Sequence, residues 1–203
     1  MVGSVFKRDV LQATGTTWEE WTARFRDTVD PLWSHEQIKA HLCGRYGVSD
    51  EWGEWLAAFC GQLLGRKPVG VTKDAGVQIG VRKTVALAKE KAWDFLVSPQ
   101  GLKLWIGEVP SFRLEKGFEF ESAEGVSGKL TVVKPYHKLR LTWKRKEWDR
   151  PSRLQIYVLA ASPGKTTIAM HQEMLEDIYM REMMRRHWEQ MLKEFAEQAG
   201  RFG

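Results

Sequence analysis

Apolar residues recur with two different periods along the chain, and the change of period divides it. Near the C-terminus Met180, Met184, Trp188, Met191 and Phe195 follow one another every three or four residues, with Met183 and Leu192 widening the stripe. This spacing predicts an amphipathic helix whose other positions, among them Arg181, Glu182, Arg185, Arg186, Glu189, Lys193 and Glu194, face water. The first quarter shows the same period in shorter pieces. Thr17 with Glu20 makes a capping box ahead of Trp18, Trp21 and Phe25, and Ser34 with Gln37 repeats it ahead of Ile38, Leu42 and Tyr46, with Gly47 placed to stop the helix. Ser49 opens a third helix. Asp50 and Glu51 in its first turn favour the helix dipole, its apolar face is Trp52, Trp55, Leu56, Phe59 and Leu63, and Gly65 ends it. Three short helices joined by tight turns predict a small all-helical domain over residues 1–70.

Between Gly65 and Gly76 the segment GRKPVGVTKDAG has no period and several breakers, which places a domain boundary there. Beyond it the period is two. VQIGVRKTVAL reads as a strand, and KEKAWDFLVSPQGLKLWIG as a helix ending at Pro99 followed by a short helical turn to Trp105. FRLEKGFEFESA, VSGKLTVVKP, HKLRLTWKRK, RLQIYVLAA and KTTIAMHQEML are alternating or β-branched and aromatic runs bounded by Gly, Pro or Ser, hence about five more strands. Their short connections favour antiparallel pairing, and the element order predicts an α+β domain over residues 71–203.

Composition narrows the class. The chain has 203 residues, 43% hydrophobic and 28% charged, as an ordinary folded protein does. MVGSVFKRDVLQATG lacks the apolar run of a secretory signal, and no stretch reaches the ~18 apolar residues of a membrane span, so the expected residence is cytoplasmic. A net charge of +5 permits nucleic-acid binding, but the basic residues are interleaved with acids; the KRK run at 144–146 reads as a solvated face, and no nucleic-acid partner is expected. Cys43 and Cys60 sit among apolar helical positions and read as reduced core residues. Ten tryptophans imply cores built from large side chains.

Motifs of catalysis and metal binding are incomplete. SPGKTT contains Gly-Lys-Thr, but a phosphate loop needs a further glycine where Leu159 stands and a helix where TTIAMHQ reads as a strand. His171 and Glu173 have the His-x-Glu spacing of zinc deaminases without the Cys-x-x-Cys that completes the site, and read instead as a surface or cross-strand pair. The histidines at 35, 41, 137, 171 and 187 form no metal-ligand spacing, so neither metal nor cofactor is expected. His187, beside Trp188, is the one candidate for acid or base work, and the plainer reading is a histidine at the edge of the apolar stripe.

The element order, with AWDFLVSPQGLKLWIG, LRLTW, TTIAMHQEML and HWEQMLKEF, resembles the START/Bet v 1 helix-grip superfamily over residues 78–199. Within it the chain looks most like bacterial proteins similar to the C-terminal domain of the activator of the heat-shock-protein-ninety ATPase. Where many relatives have Gly before the tryptophan of the final helix, this chain has His187. The first region resembles a small helical family of unknown function found in bacterial proteins. The resemblance implies a curved antiparallel sheet gripping the C-terminal helix, with a small hydrophobic or amphipathic ligand bound between them. Alternation and helical spacing assign Trp93, Leu96, Trp105, Phe118, Phe120, Leu141, Trp143, Ile156, Met170, Met184, His187, Trp188 and Met191 to its lining, with His187 and Tyr157 or Tyr179 able to supply an orienting hydrogen bond. The alternative is a protein-interaction module like the co-chaperones, and a cavity-based cyclase or hydrolase comes third. Oligomeric state is left open.

Overall fold

The computed structural model describes residues 2–68, 71–72 and 76–201. It divides into two compact units, residues 1–71 with 176–180 and residues 72–175 with 181–203. Part of the GRKPVGVTKDAG boundary, residues 69–70 and 73–75, lies outside the described residues.

The first unit has four helices: α1 (Ser4–Thr14), α2 (Trp18–Thr28), α3 (His35–Tyr46) and α4 (Asp50–Leu63). Both capping boxes form, Thr17 with Glu20 and Ser34 with Gln37, and the Ser49 hydroxyl accepts from the Trp52 N–H at 3.3 Å. These side chains satisfy backbone donors that a helix start leaves free. Helix α1 is one more than the capping signals mark. Its N-cap is Gly3, which offers no side-chain acceptor, so its start leaves no polar signature in the sequence. Burial of Val5, Phe6 and Val10 holds it in place. The core of the unit is aromatic: Phe6 lies 4.2 Å from Phe59 and 5.6 Å from Trp18, ring centre to ring centre. Cys60 is buried and Cys43 half-buried, both as free thiols.

The second unit carries β2 (Gly76–Val85), α5 (Lys89–Val97), α6 (Pro99–Trp105), β3 (Glu119–Glu121), β4 (Val126–Lys134), β5 (Lys138–Arg145), β6 (Ser152–Ser162), β7 (Lys165–Leu175) and most of the long helix α7 (Ile178–Ala199). With the two-residue β1 (Val71–Thr72), the sheet runs in the order β1-β2-β7-β6-β5-β4-β3. The ladders from β2 to β3 are antiparallel. The register shifts between Val77 and Ile79 in β2, Leu130 and Val132 in β4, and Ala160 and Ser162 in β6. The arrangement is α+β, with the sheet gripping α7.

Alternation sorts the side chains of the sheet. Leu139, Leu141 and Trp143 of β5, Leu154, Ile156 and Val158 of β6, and Ile168, Met170 and Gln172 of β7 are buried on one face. Helix α7 lays Met184, Trp188, Met191 and Phe195 on that face, all between 0% and 3% exposed. Phe95 of α5 meets Phe195 edge to face at 4.9 Å. Side chains buried to this degree pack closely against one another, so the middle of the grip is filled by side chains.

Candidate functional site

A chain of buried hydrogen bonds pins α7 to the sheet. Trp188 Nε1 donates to Gln172 Oε1 at 2.7 Å, Gln172 Nε2 donates to Ser152 Oγ at 2.7 Å, and Ser152 Oγ donates to the Trp143 carbonyl at 2.8 Å. Trp143 Nε1 in turn donates to the Trp105 carbonyl at 3.1 Å, and Trp105 Nε1 to the Leu96 carbonyl at 3.1 Å. The indole N–H groups of Trp105, Trp143 and Trp188 thus each have an acceptor, as buried donors require.

One residue from Trp188 the pattern changes. A helical step of roughly 100° carries His187 to the edge of the stripe, where it borders a cleft of about 360 Å³ between α6, the turns beside β4, the end of β5 and α7. Ile106, Val126, Trp105 and Trp143 form its floor, while Lys103, Glu124, Arg145, Glu147 and His187 stand around it. Arg145 is there because β5 alternates: after Leu139, Leu141 and Trp143, the next position on the same face is 145, and its cross-strand partner is Val126.

The loop after α6 shapes the rim. Gly107 has φ +96°, and a Cβ there would lie 2.1 Å from the Glu124 carboxylate, so only glycine lets the loop pass. Glu124 accepts from the Glu108 N–H at 2.8 Å, and this bond is the main reason its carboxyl is held below the usual range. Ala123 N–H closes the same link by donating to the Glu108 carbonyl. Lys103 pairs with Glu108.

Arg145 and His187 carry the electrostatics. Arg145 Nη2 lies 3.3 Å from His187 Nδ1, and its guanidinium stands 5.7 Å from the Trp143 ring. Burial lowers the Arg145 pKa, and Glu147 partly offsets this; the group remains a cation at neutral pH. Burial first, and then the Arg145 charge, push His187 down to about 4, so its imidazole is neutral at pH 7. Arg145 makes no ion pair at contact distance with a carboxylate among the described residues, and His187 Nε2 is buried without a hydrogen-bond partner.

Of the residues assigned to the lining from sequence, Trp105, Trp143 and His187 border this cleft. Leu96, Leu141, Ile156, Met170, Met184, Trp188 and Met191 lie in the filled interior, and Trp93 is buried on α5 with its ring 5.8 Å from Tyr136. Phe118 and Phe120 cluster around Phe112 at 5.7 and 5.9 Å, and Phe120 touches a separate cleft of about 620 Å³ along β3, β4 and β5. Tyr157 lies on the opposite face of the sheet from Ile156, since neighbours on a strand point to opposite sides; its hydroxyl accepts from Lys138 Nζ at 2.7 Å. Tyr179 belongs to the helical unit, where its ring meets Phe6 at 5.3 Å and its hydroxyl donates to Asp9 at 3.1 Å. His171 and Glu173 approach to 3.4 Å beside Arg153 and Gln155, without a third metal-ligating group among the described residues. Sequence reasoning passed over Arg145, which the run of basic residues concealed. Continuing the β5 alternation by one more step would have found it.

Among the described residues no helix is long and apolar enough to cross a membrane. No curated protein matches the chain in sequence. In structure it is similar to a protein from Mesorhizobium loti, at 18% identity and TM-score 0.55 over 62% of this chain and 98% of that one. It is similar also to CalU16 of Micromonospora echinospora, at 18% identity and TM-score 0.53 over 63% and 80% of the two chains. An HSP90 activator from Plasmodium falciparum matches at 16% identity and TM-score 0.53 over 61% and 96%. At these identities the likeness establishes the fold. The sequence profile of the family described as Activator of Hsp90 ATPase homolog 1-like protein matches residues 86–200, more than half of the chain, and the protein belongs to that family.

Proposed function

We propose that this protein binds a small amphipathic molecule in the cleft between β5, α6 and α7. The observation that carries this reading is the convergence, over an apolar floor, of two perturbed groups, Arg145 and His187, that bond each other while Arg145 has no contact ion pair with a carboxylate among the described residues. The volume of about 360 Å³ suits a ligand of two fused rings or a short acyl chain. Because the interior of the grip is filled, the ligand sits at the edge of the space between sheet and helix.

The test is titration of the full chain with a neutral solvatochromic naphthalene dye. Saturable binding with one site per chain is expected, and Leu104→Trp, which enlarges a half-buried residue of the cleft, abolishes it. Absence of saturable binding to the folded protein, or binding indifferent to Leu104→Trp, contradicts the reading.

A second reading is an interaction module acting on a chaperone ATPase. Its support is the family description, the Plasmodium relative and an apolar groove of about 560 Å³ between α6 and the following loop, walled by Val97, Pro99, Val109, Pro110 and Phe112. Stimulation of an Hsp90 ATPase by the full chain, lost on Phe112→Glu, would favour this reading over the first.

A further inference from the structure

Arg145 and His187 fix each other's chemistry. A guanidinium only donates hydrogen bonds, so the 3.3 Å contact makes His187 Nδ1 an acceptor and puts the ring proton on Nε2. The neutral ring therefore holds one corner of the guanidinium and contributes no charge to balance it. The Trp143 ring offers Arg145 an apolar surface rather than a counter-ion. Glu147 acts only through space and is itself exposed. A half-buried cation without a bonded anion is stabilised by any anion that reaches it, because the cost of its desolvation is already met in folding.

The rest of the rim limits which anion fits. Glu124 and Glu147 stand on the same cleft, and the remaining cation, Lys103, is paired with Glu108. One negative charge can bond Arg145 directly; a second finds no further unpaired cation on the rim and adds to the repulsion from Glu124 and Glu147. The floor of Ile106, Val126 and Trp143 requires an apolar body behind the charge.

We infer that the ligand's head group is a monoanion of the carboxylate class, bound by the Arg145 guanidinium, with His187 as the positioning residue that holds the guanidinium toward the cleft. This rests on the reading of the cleft as a small-molecule site.

Calorimetric titration of the full chain at pH 7 with 2-naphthoate, 2-naphthamide and 2-naphthyl phosphate tests it, since the three share one apolar body and differ in charge. Naphthoate is expected to bind about tenfold tighter than either of the others. Arg145→Gln should remove that preference while leaving the amide within about twofold, and Arg145→Lys should keep part of it, a control for folding as well as charge. His187→Gln, whose amide oxygen can still accept from Arg145, should retain the preference that His187→Phe loses. Equal binding of naphthoate and amide, both blocked by Leu104→Trp, overturns the head-group inference and leaves the cleft reading standing. Binding of neither probe, or binding untouched by Leu104→Trp, overturns both.

Discussion

Trp188 and His187 are neighbours on one helix, and their surroundings teach opposite lessons. The Trp188 N–H enters a relay through Gln172 and Ser152 to the Trp143 carbonyl, every member paired and sealed from water. His187 leaves Nε2 without a partner and meets a cation that makes no contact ion pair among the described residues. A satisfied buried network holds a fold in register, whereas a buried polar atom without a partner calls for an explanation of its own. The centre of the grip is a closed network, then, and its edge is the part we propose to bind a ligand.

Breaking the sealed side should have the largest effect. Trp188→Ala removes a fully buried indole and strips Gln172 of its donor, so urea unfolding should show a loss of about 3 to 5 kcal/mol. A loss under about 1 kcal/mol would mean that the interior is loosely packed.

Acid sharpens the contrast on the other side. His187 titrates at about 4 when folded against an ordinary 6.5, so between these values the unfolded chain binds the extra proton. Its contribution to stability is therefore complete above pH 6.5 and is lost as pH falls toward 4, by up to about 3 kcal/mol. His187→Gln should flatten that part of the stability profile. An unchanged slope in the variant would show that the imidazole is not held neutral by its site.

The helical unit provides the smallest effect. Ser49→Ala removes a hydroxyl cap on α4, and urea unfolding should register about 1 kcal/mol.

Much of this fold was legible because its signals are local. Thr17, Ser34 and Ser49 announce their helices by chemistry within three residues, and the alternation of β5, β6 and β7 names one buried face. Helix α1 escaped because Gly3 caps it without a side chain. FRLEKGFEFESA has the alternation of a long strand, yet only Glu119–Glu121 forms one, with Gly117, Phe118 and Ser122 adding backbone hydrogen bonds to β4 on either side. Phe112, Phe118 and Phe120 gather into one aromatic cluster, and Gly117, at φ +93°, turns the chain just ahead of the short ladder with β4. The cleft was half legible. His187 stood out in the sequence, but Arg145 looked like one more solvated charge between Lys144 and Lys146, because its burial depends on packing against α7 and on the loop after α6. The sequence assigns Tyr157 or Tyr179 an orienting hydrogen bond in the lining, whereas the strand's pleat turns Tyr157 to the other face of the sheet and the core of the helical unit takes Tyr179.

The claim that the grip is sealed at its centre and open at its edge is tested most directly by comparing Met184→Trp with Leu104→Trp, reading urea stability and binding of the neutral naphthalene dye in both. Met184 is in the filled interior, so the larger ring should cost about 1 to 3 kcal/mol through overpacking while dye binding persists. Leu104 borders the cleft, so its replacement should leave stability within about 0.5 kcal/mol and abolish the binding. The reverse pattern, a stable Met184→Trp that no longer binds dye beside a Leu104→Trp that still does, would place the ligand space under the middle of α7 and contradict the account.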